Sequence, residues 1–186
     1  MRVESYWQWH STRNLCLAMN TTATTAADRL RAALKQAGFT ARQATVRQRD
    51  STLHVTIRDA AVSLTRITAI AARFEVVRRD QASGEILCGG NTYVDIEYAP
   101  AVVAPVKASL LAILESAPND EAVTLPGGYR AMKVTRERGA TYYGEVRIWG
   151  RGFEDRNHIA VGVAYAAERI AVACLDASAS GEGSAT

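Results

Sequence analysis

Leu30, Ala33, Leu34 and Ala37 recur at i, i+3, i+4 and i+7, the spacing of one apolar helical face. Thr25-Ala26-Ala27-Asp28 ahead of them resembles a capping box with Asp in place of the usual Glu. Gly38 stands where a left-handed residue ends a helix. The pattern therefore predicts a helix over 26–37. The period then changes from 3.6 to 2. Between Thr40 and Arg49, Ala44 and Val46 alternate against Thr45, Arg47 and Arg49. Asp50-Ser51 makes a turn. From Thr52 to Arg58, Leu53, Val55 and Ile57 alternate against Thr52, His54, Thr56 and Arg58. Asp59 is placed to cap a second helix, with Val62, Leu64, Ile67, Ile70, Ala71 and Phe74 as its buried stripe. Phe74–Arg79 reads as a short strand, and Thr92–Tyr98 as another with Tyr93, Asp95 and Glu97 on one side.

Beyond Pro100 the pattern is sparser. Pro105 suits the first turn of a helix running to Ser116 that buries Val106, Leu110, Ile113 and Leu114. Pro126-Gly127-Gly128 turns the chain into a strand in which Arg130, Met132 and Val134 alternate. Thr141–Trp149 follows, with Tyr142, Val146 and Ile148 opposite Tyr143, Glu145, Arg147 and Trp149, so the two read as a hairpin. Residues 158–175 fit a strand through Ile159, Val161, Val163 and Tyr165, and a helix through Ile159, Val163, Ala167, Ile170 and Cys174; their alanine content favours the helix.

These elements predict an α+β fold. An antiparallel sheet with helices on one face forms an α-β-β-α-β-β unit over 25–99. A helix, a β-hairpin and a C-terminal helix over 100–177 pack on or beside it. Residues 1–24 are expected to be a disordered extension and 178–186 a frayed tail. Met1–Ala18 holds Trp7, Trp9 and His10 but no apolar run of a signal peptide, and Met19 reads as the natural start. The alternative for this segment is a short aromatic docking element built on Trp7 and Trp9.

The chain's 186 residues carry 22 basic and 19 acidic side chains, a net charge of +3. That mild excess does not by itself call for nucleic acid. All basic residues but Lys35, Lys107 and Lys133 are arginine, a skew expected of a GC-rich genome, with bidentate phosphate or carboxylate contacts as the functional alternative. With 13 Gly, 4 Pro and 3 Cys, collagen-like and disulfide-scaffold classes are excluded. No apolar run reaches the roughly 18 residues of a membrane span. Cys16, Cys88 and Cys174 lie far apart and read as reduced, mostly buried thiols of a cytoplasmic protein. His10, His54 and His158 lack zinc-ligand spacing, and no motif asks for a cofactor.

Candidate chemistry is thin. Asp95 and Glu97 share a strand face, as a metal-dependent nuclease would need, but no basic residue accompanies them in the motif. Gly150-Arg151-Gly152 has neither a third glycine nor a P-loop lysine, and reads as a connecting loop. No nucleophile motif is present, so no catalytic residue is assigned. The best cluster is Arg47, Arg49, His54, Thr56 and Arg58 on the polar faces of two adjacent strands, with Tyr93 as a stacking platform, a patch suited to DNA or RNA. A second patch, Arg147, Trp149 and Arg151 with Tyr143, follows the same nucleic-acid logic, while Tyr143, Arg147 and Trp149, with Tyr142 beside them, also suit a protein partner.

Four segments carry a family likeness: "LKQAGF" (Leu34–Phe39), "LHVTIRDA" (Leu53–Ala60), an amphipathic helix ending at Phe74, and "GGNTYVDIEY" (Gly89–Tyr98). On these, residues 27–98 resemble a large polyvalent protein-associated domain, a module of the long proteins of phages and conjugative elements. The chain departs from that pattern at Thr56 or Ile57, where family members tend to have Trp, and at Ala60, where they tend to have Gly. The resemblance implies a mobile-element setting and brings no catalytic residues. The expectation is a non-enzymatic accessory protein that contacts nucleic acid, or else a module that engages a host protein.

Overall fold

The computed structural model describes residues 25–134, 144–153 and 158–181. The fold is α+β. Among the described residues are four helices and two sheets, of three and four strands.

Helix α1 (Ala26–Gln36) begins as its sequence predicts. The Thr25 hydroxyl accepts from the Asp28 amide, and the Asp28 carboxylate accepts from the Thr25 amide. It ends in a Schellman motif: the Phe39 amide reaches back to the Leu34 carbonyl, and Gly38 takes a φ of 92°. Its buried face is Ala27, Leu30, Ala33 and Leu34.

Strands β1 (Ala44–Arg49) and β2 (Thr52–Ile57) pair antiparallel across the Asp50-Ser51 turn. Residues 41–43, assigned to the first strand by pattern, form a turn instead. Helix α2 (Leu64–Ala71) starts later than expected, and its cap is Ser63 rather than Asp59. The Asp59 carboxylate is already taken by the Ala61 amide and the Gln43 side chain. The expected strand at Phe74–Arg79 does not form. That stretch and Ile86–Thr92 are joined by two isolated bridges, Val76 with Thr92 and Arg79 with Ile86, and by the Arg78 amide donating to the Asn91 side chain, making an extended arm.

Strand β3 (Tyr93–Tyr98) then joins β2 in parallel, where an antiparallel neighbour was expected. A parallel pair needs a long crossover, and α2 with the arm supplies it. Helix α3 runs Pro100–Ser116 with Pro100 in its first turn, so Pro105 lies inside the helix rather than starting it. It buries Val103, Leu110 and Leu114, while Ile113, expected in the core, is exposed.

The second sheet is a meander in the order β4-β5-β6-β7. Its strands are β4 (Ala122–Thr124), which the pattern did not show, β5 (Arg130–Val134), β6 (Glu145–Trp149) and β7 (His158–Val161). The hairpin of β5 and β6 is as expected. The stretch 158–175 is both of its alternatives in turn: β7 first, then helix α4 (Val163–Ala179), with Gly162 at φ 90° between them. Because α4 continues to Ala179, Ser178 and Ala179 belong to a helix and not to a frayed tail.

Side chains from both sheets and all four helices share one continuous apolar core. Helix α3 packs along α4, and Lys107 Nζ donates to Glu168 at 2.7 Å across that seam. The expected N-terminal extension, Trp7, Trp9 and the tail from residue 182 lie outside the described residues.

Candidate interaction surfaces

Strand register decides which side chains meet. On the first sheet, Ala44, Ile57 and Tyr98 form one row facing the core, and Val46, Val55 and Ile96 form the next. The opposite face carries three polar rows: Thr45–Thr56–Glu97, Arg47–His54–Asp95 and Arg49–Thr52–Tyr93. Alternation places Arg58, one residue past β2, on the same side. Its amide donates to the Gln43 carbonyl. All six residues expected to meet nucleic acid thus share this face.

The face is bipolar. Arg47 and Arg49 lie exposed on the edge strand β1, and Asp95 and Glu97 lie exposed on β3 at the opposite edge. His54 sits between them, with Nδ1 3.1 Å from Asp95 Oδ2. The Tyr93 hydroxyl accepts from the Asn91 side chain at 3.3 Å, which tethers its ring to the arm. A phosphate backbone attracted to β1 would meet two carboxylates two strands away, about 10 Å off at normal strand spacing. Asp95 and Glu97 do share a face, but no group of three His, Cys, Asp or Glu side chains among the described residues is arranged to hold a metal.

The second sheet differs. Val123, Ala131, Val146, Ile148 and Ala160 lie on its inner face, toward α4 and the core. Its outer face carries the rows Ala122–Met132–Arg147–Ile159, Val134–Glu145–Val161 and Thr124–Arg130–Trp149. This face is largely apolar, yet Ile159 is 48% exposed and Val161 57%. Arg147 is half-buried among these side chains, and its Nε is buried with no hydrogen-bond partner among the described residues. Arg147 and Trp149 therefore share the surface expected for a protein partner. Tyr143, and Tyr142 before it, lie outside the described residues. Met132, Val134, Ile159 and Val161 complete the surface. Their period-2 spacing was visible in the sequence, but nothing there told which face the fold would cover.

Two further features were not legible. Asp176, on α4, accepts from the Ser63 hydroxyl at 2.7 Å, the Thr65 amide at 3.0 Å and the Thr65 hydroxyl. It acts as a second cap on α2. Burial pushes its carboxyl up, and the hydrogen bonds from Thr65 and Ser63 outweigh that and hold it below the ordinary value. Beside it, a cavity of about 430 Å³ is bounded by Thr65, Tyr129, Arg151 and Ser180. The second feature is a cavity of about 490 Å³ between α1 and β1.

Gly150-Arg151-Gly152 is a connecting turn. Gly150 lies against the Tyr129 ring, and the Phe153 amide donates back to the Gly150 carbonyl at 2.9 Å. Of the cysteines expected to be buried, Cys88 is exposed and Cys174 is half-buried with its thiol pushed up by burial. No helix among the described residues is long and apolar enough to cross a membrane.

Compared with protein-family models, curated proteins and solved structures, the chain matches none.

Proposed function

We propose that this protein is a non-enzymatic binding module whose main surface is the outer face of the β4–β7 sheet, and that its partner there is another protein. One observation carries the reading. The second sheet has apolar side chains on both faces, and among the described residues the core covers only one. Exposed apolar patches of this kind on soluble proteins mark interaction sites. Trp and Arg, as at Trp149 and Arg147, are the residue types that dominate protein–protein binding energy. The likeness of residues 27–98 to polyvalent-protein modules supports a cytoplasmic accessory role in a phage or conjugative element, with a host protein as the partner.

The test is selective loss of partner. The full chain carrying Ile159→Thr, Val161→Thr and Trp149→Ser should keep its fold and lose a partner that wild type retains in host-cell extract. A variant with Arg47→Ala and Arg49→Ala should keep that partner. Retention by the first variant would overturn the reading.

A second reading rests on Arg47 and Arg49, exposed side by side on β1 with Arg58 nearby. They favour DNA or RNA along that edge. Fluorescence anisotropy at two salt concentrations decides it. Each phosphate neutralised contributes about −0.9 to the slope of log K against log salt on duplex DNA. A slope near zero removes this reading.

A further inference from the structure

We propose that the groove between α1 and the free edge of β1 binds an extended peptide of alternating apolar and acidic residues, which joins the first sheet as an added strand. The surface is independent of the β4–β7 face.

Strand β1 is an edge, pairing only with β2 among the described residues. The hydrogen-bond pattern shows which of its backbone groups point outward. The Gln43 carbonyl accepts from the Arg58 amide, so Gln43 turns toward β2. Antiparallel alternation then turns Thr45 and Arg47 inward, and Ala44, Val46 and Gln48 outward. The Val46 carbonyl confirms this phase: it accepts from Arg31 Nη2 at 2.7 Å. Outward amides at Val46 and Gln48 are the donors an added strand needs.

The two faces of such a strand would meet different chemistry. Its core-side residues would lie over the cavity of about 490 Å³ lined by Leu34, Phe39, Ala44 and Val46. Its other residues would lie beside Arg47 and Arg49 on the polar face, where opposite charges across neighbouring strands stabilise pairing. Apolar residues at one parity and acidic ones at the other therefore match the site on both counts. Arg31 guards the edge meanwhile. It is shared between Asp28 at 2.6 Å and the Val46 carbonyl, which blunts an otherwise open strand and yields when a peptide amide takes its place.

The test uses the full chain and two fluorescein-labelled hexapeptides, one alternating Val and Glu, the other Val and Lys. The acidic peptide should bind at least tenfold more tightly than the basic one, and should slow hydrogen exchange at the Val46 and Gln48 amides at least tenfold. The double variant Arg47→Glu, Arg49→Glu should invert the preference. The Ile159, Val161 and Trp149 substitutions should leave peptide binding unchanged, which separates this site from the β4–β7 face. Affinities within twofold of each other, no binding of either peptide, or binding without added protection at Val46 and Gln48 would overturn the proposal. So would full protection of those amides in the unliganded protein, since the edge would then be covered by a second copy or by residues 1–24.

Discussion

The Ser63 hydroxyl donates to the Asp176 carboxylate at 2.7 Å, joining residues 113 positions apart in the chain. Ser63 is the N-cap of α2, and its oxygen also accepts from the Arg66 amide at 3.2 Å. Asp176 belongs to α4, the helix that covers the second sheet. Through this pair the crossover helix of the first sheet is held to the second sheet's helix. Removing the carboxylate takes the acceptor from the Thr65 amide and hydroxyl at the helix start, and leaves the buried Ser63 hydroxyl only Ser180 Oγ, 3.1 Å away, to donate to. Asp176→Ala should therefore cost about 1–2 kcal/mol, in the range of lost N-caps. Urea denaturation of the purified variant measures it.

The same carboxylate makes stability depend on pH. Its folded pKa lies below the ordinary carboxylate value, so its contribution is complete above the unfolded value near 4 and is lost as pH falls through the folded value. Wild type should lose stability faster than Asp176→Asn on acidification below about pH 4. Parallel acid titrations of the two proteins would sink the assignment if the curves superimposed.

How far all this could be read beforehand depended on range. Helix α1 was legible because its cap, its apolar face and its Gly38 stop lie within 14 consecutive residues, Thr25 to Gly38. The polar rows of the first sheet were legible because alternation alone assigns a face. Direction was not. Period-2 spacing is the same for parallel and antiparallel strands, so the crossover from β2 to β3 was missed. Residues 158–175 misled for a related reason. Ile159 and Val161 carry a strand period, the alanines after Val163 a helix period, and Gly162 between them marks the change. The Ser63–Asp176 pair and the exposure of Ile159 and Val161 on the outer face depend on packing between distant elements, which local spacing does not encode.

Tyr98 gives an alkaline counterpart to the acid prediction. Its hydroxyl donates to the Val62 carbonyl at 2.9 Å, and burial together with the Asp176 charge pushes its pKa up to about 12. The folded value exceeds the unfolded one of 10.0, so this contribution is present below pH 10 and fades as pH rises toward 12. Tyr98→Phe should abolish that alkaline loss. It should also cost about 1 kcal/mol at neutral pH, by leaving the Val62 carbonyl unpaired. Equal alkaline sensitivity in both proteins would show that another group is responsible.

The shared core makes a prediction about cooperativity. Ile170 on α4 is fully buried and belongs to the same cluster as Leu53 and Val55 of the first sheet. If the two sheets fold as one unit, Ile170→Ala should lower the stability of both by about 2–5 kcal/mol in a single transition. Hydrogen exchange at the Val55 and Ile148 amides, one in each sheet, should then report the same shift. Unequal shifts would mean that the sheets unfold separately.

Gly150 and Gly152 allow a controlled comparison within one turn. Both have positive φ, 136° and 79°, so alanine at either is strained by its backbone. Only at Gly150 does a new methyl also meet a neighbour: its carbon would stand 2.6 Å from a Tyr129 ring atom and 3.3 Å from the Tyr129 Cα. Tyr129 is 2% exposed and stacks edge-on against Phe153 at 6.0 Å, so the ring cannot swing aside into solvent. Overpacking of this kind typically costs about 1–3 kcal/mol beyond the backbone penalty. Gly150→Ala should thus be the more destabilising of the two by that margin, with disturbed near-ultraviolet dichroism from Tyr129. Gly152→Ala, which meets nothing within 4 Å, should leave that signal intact. Equal losses from the two substitutions would mean that backbone conformation alone, and not the packing of Tyr129, requires a glycine after β6.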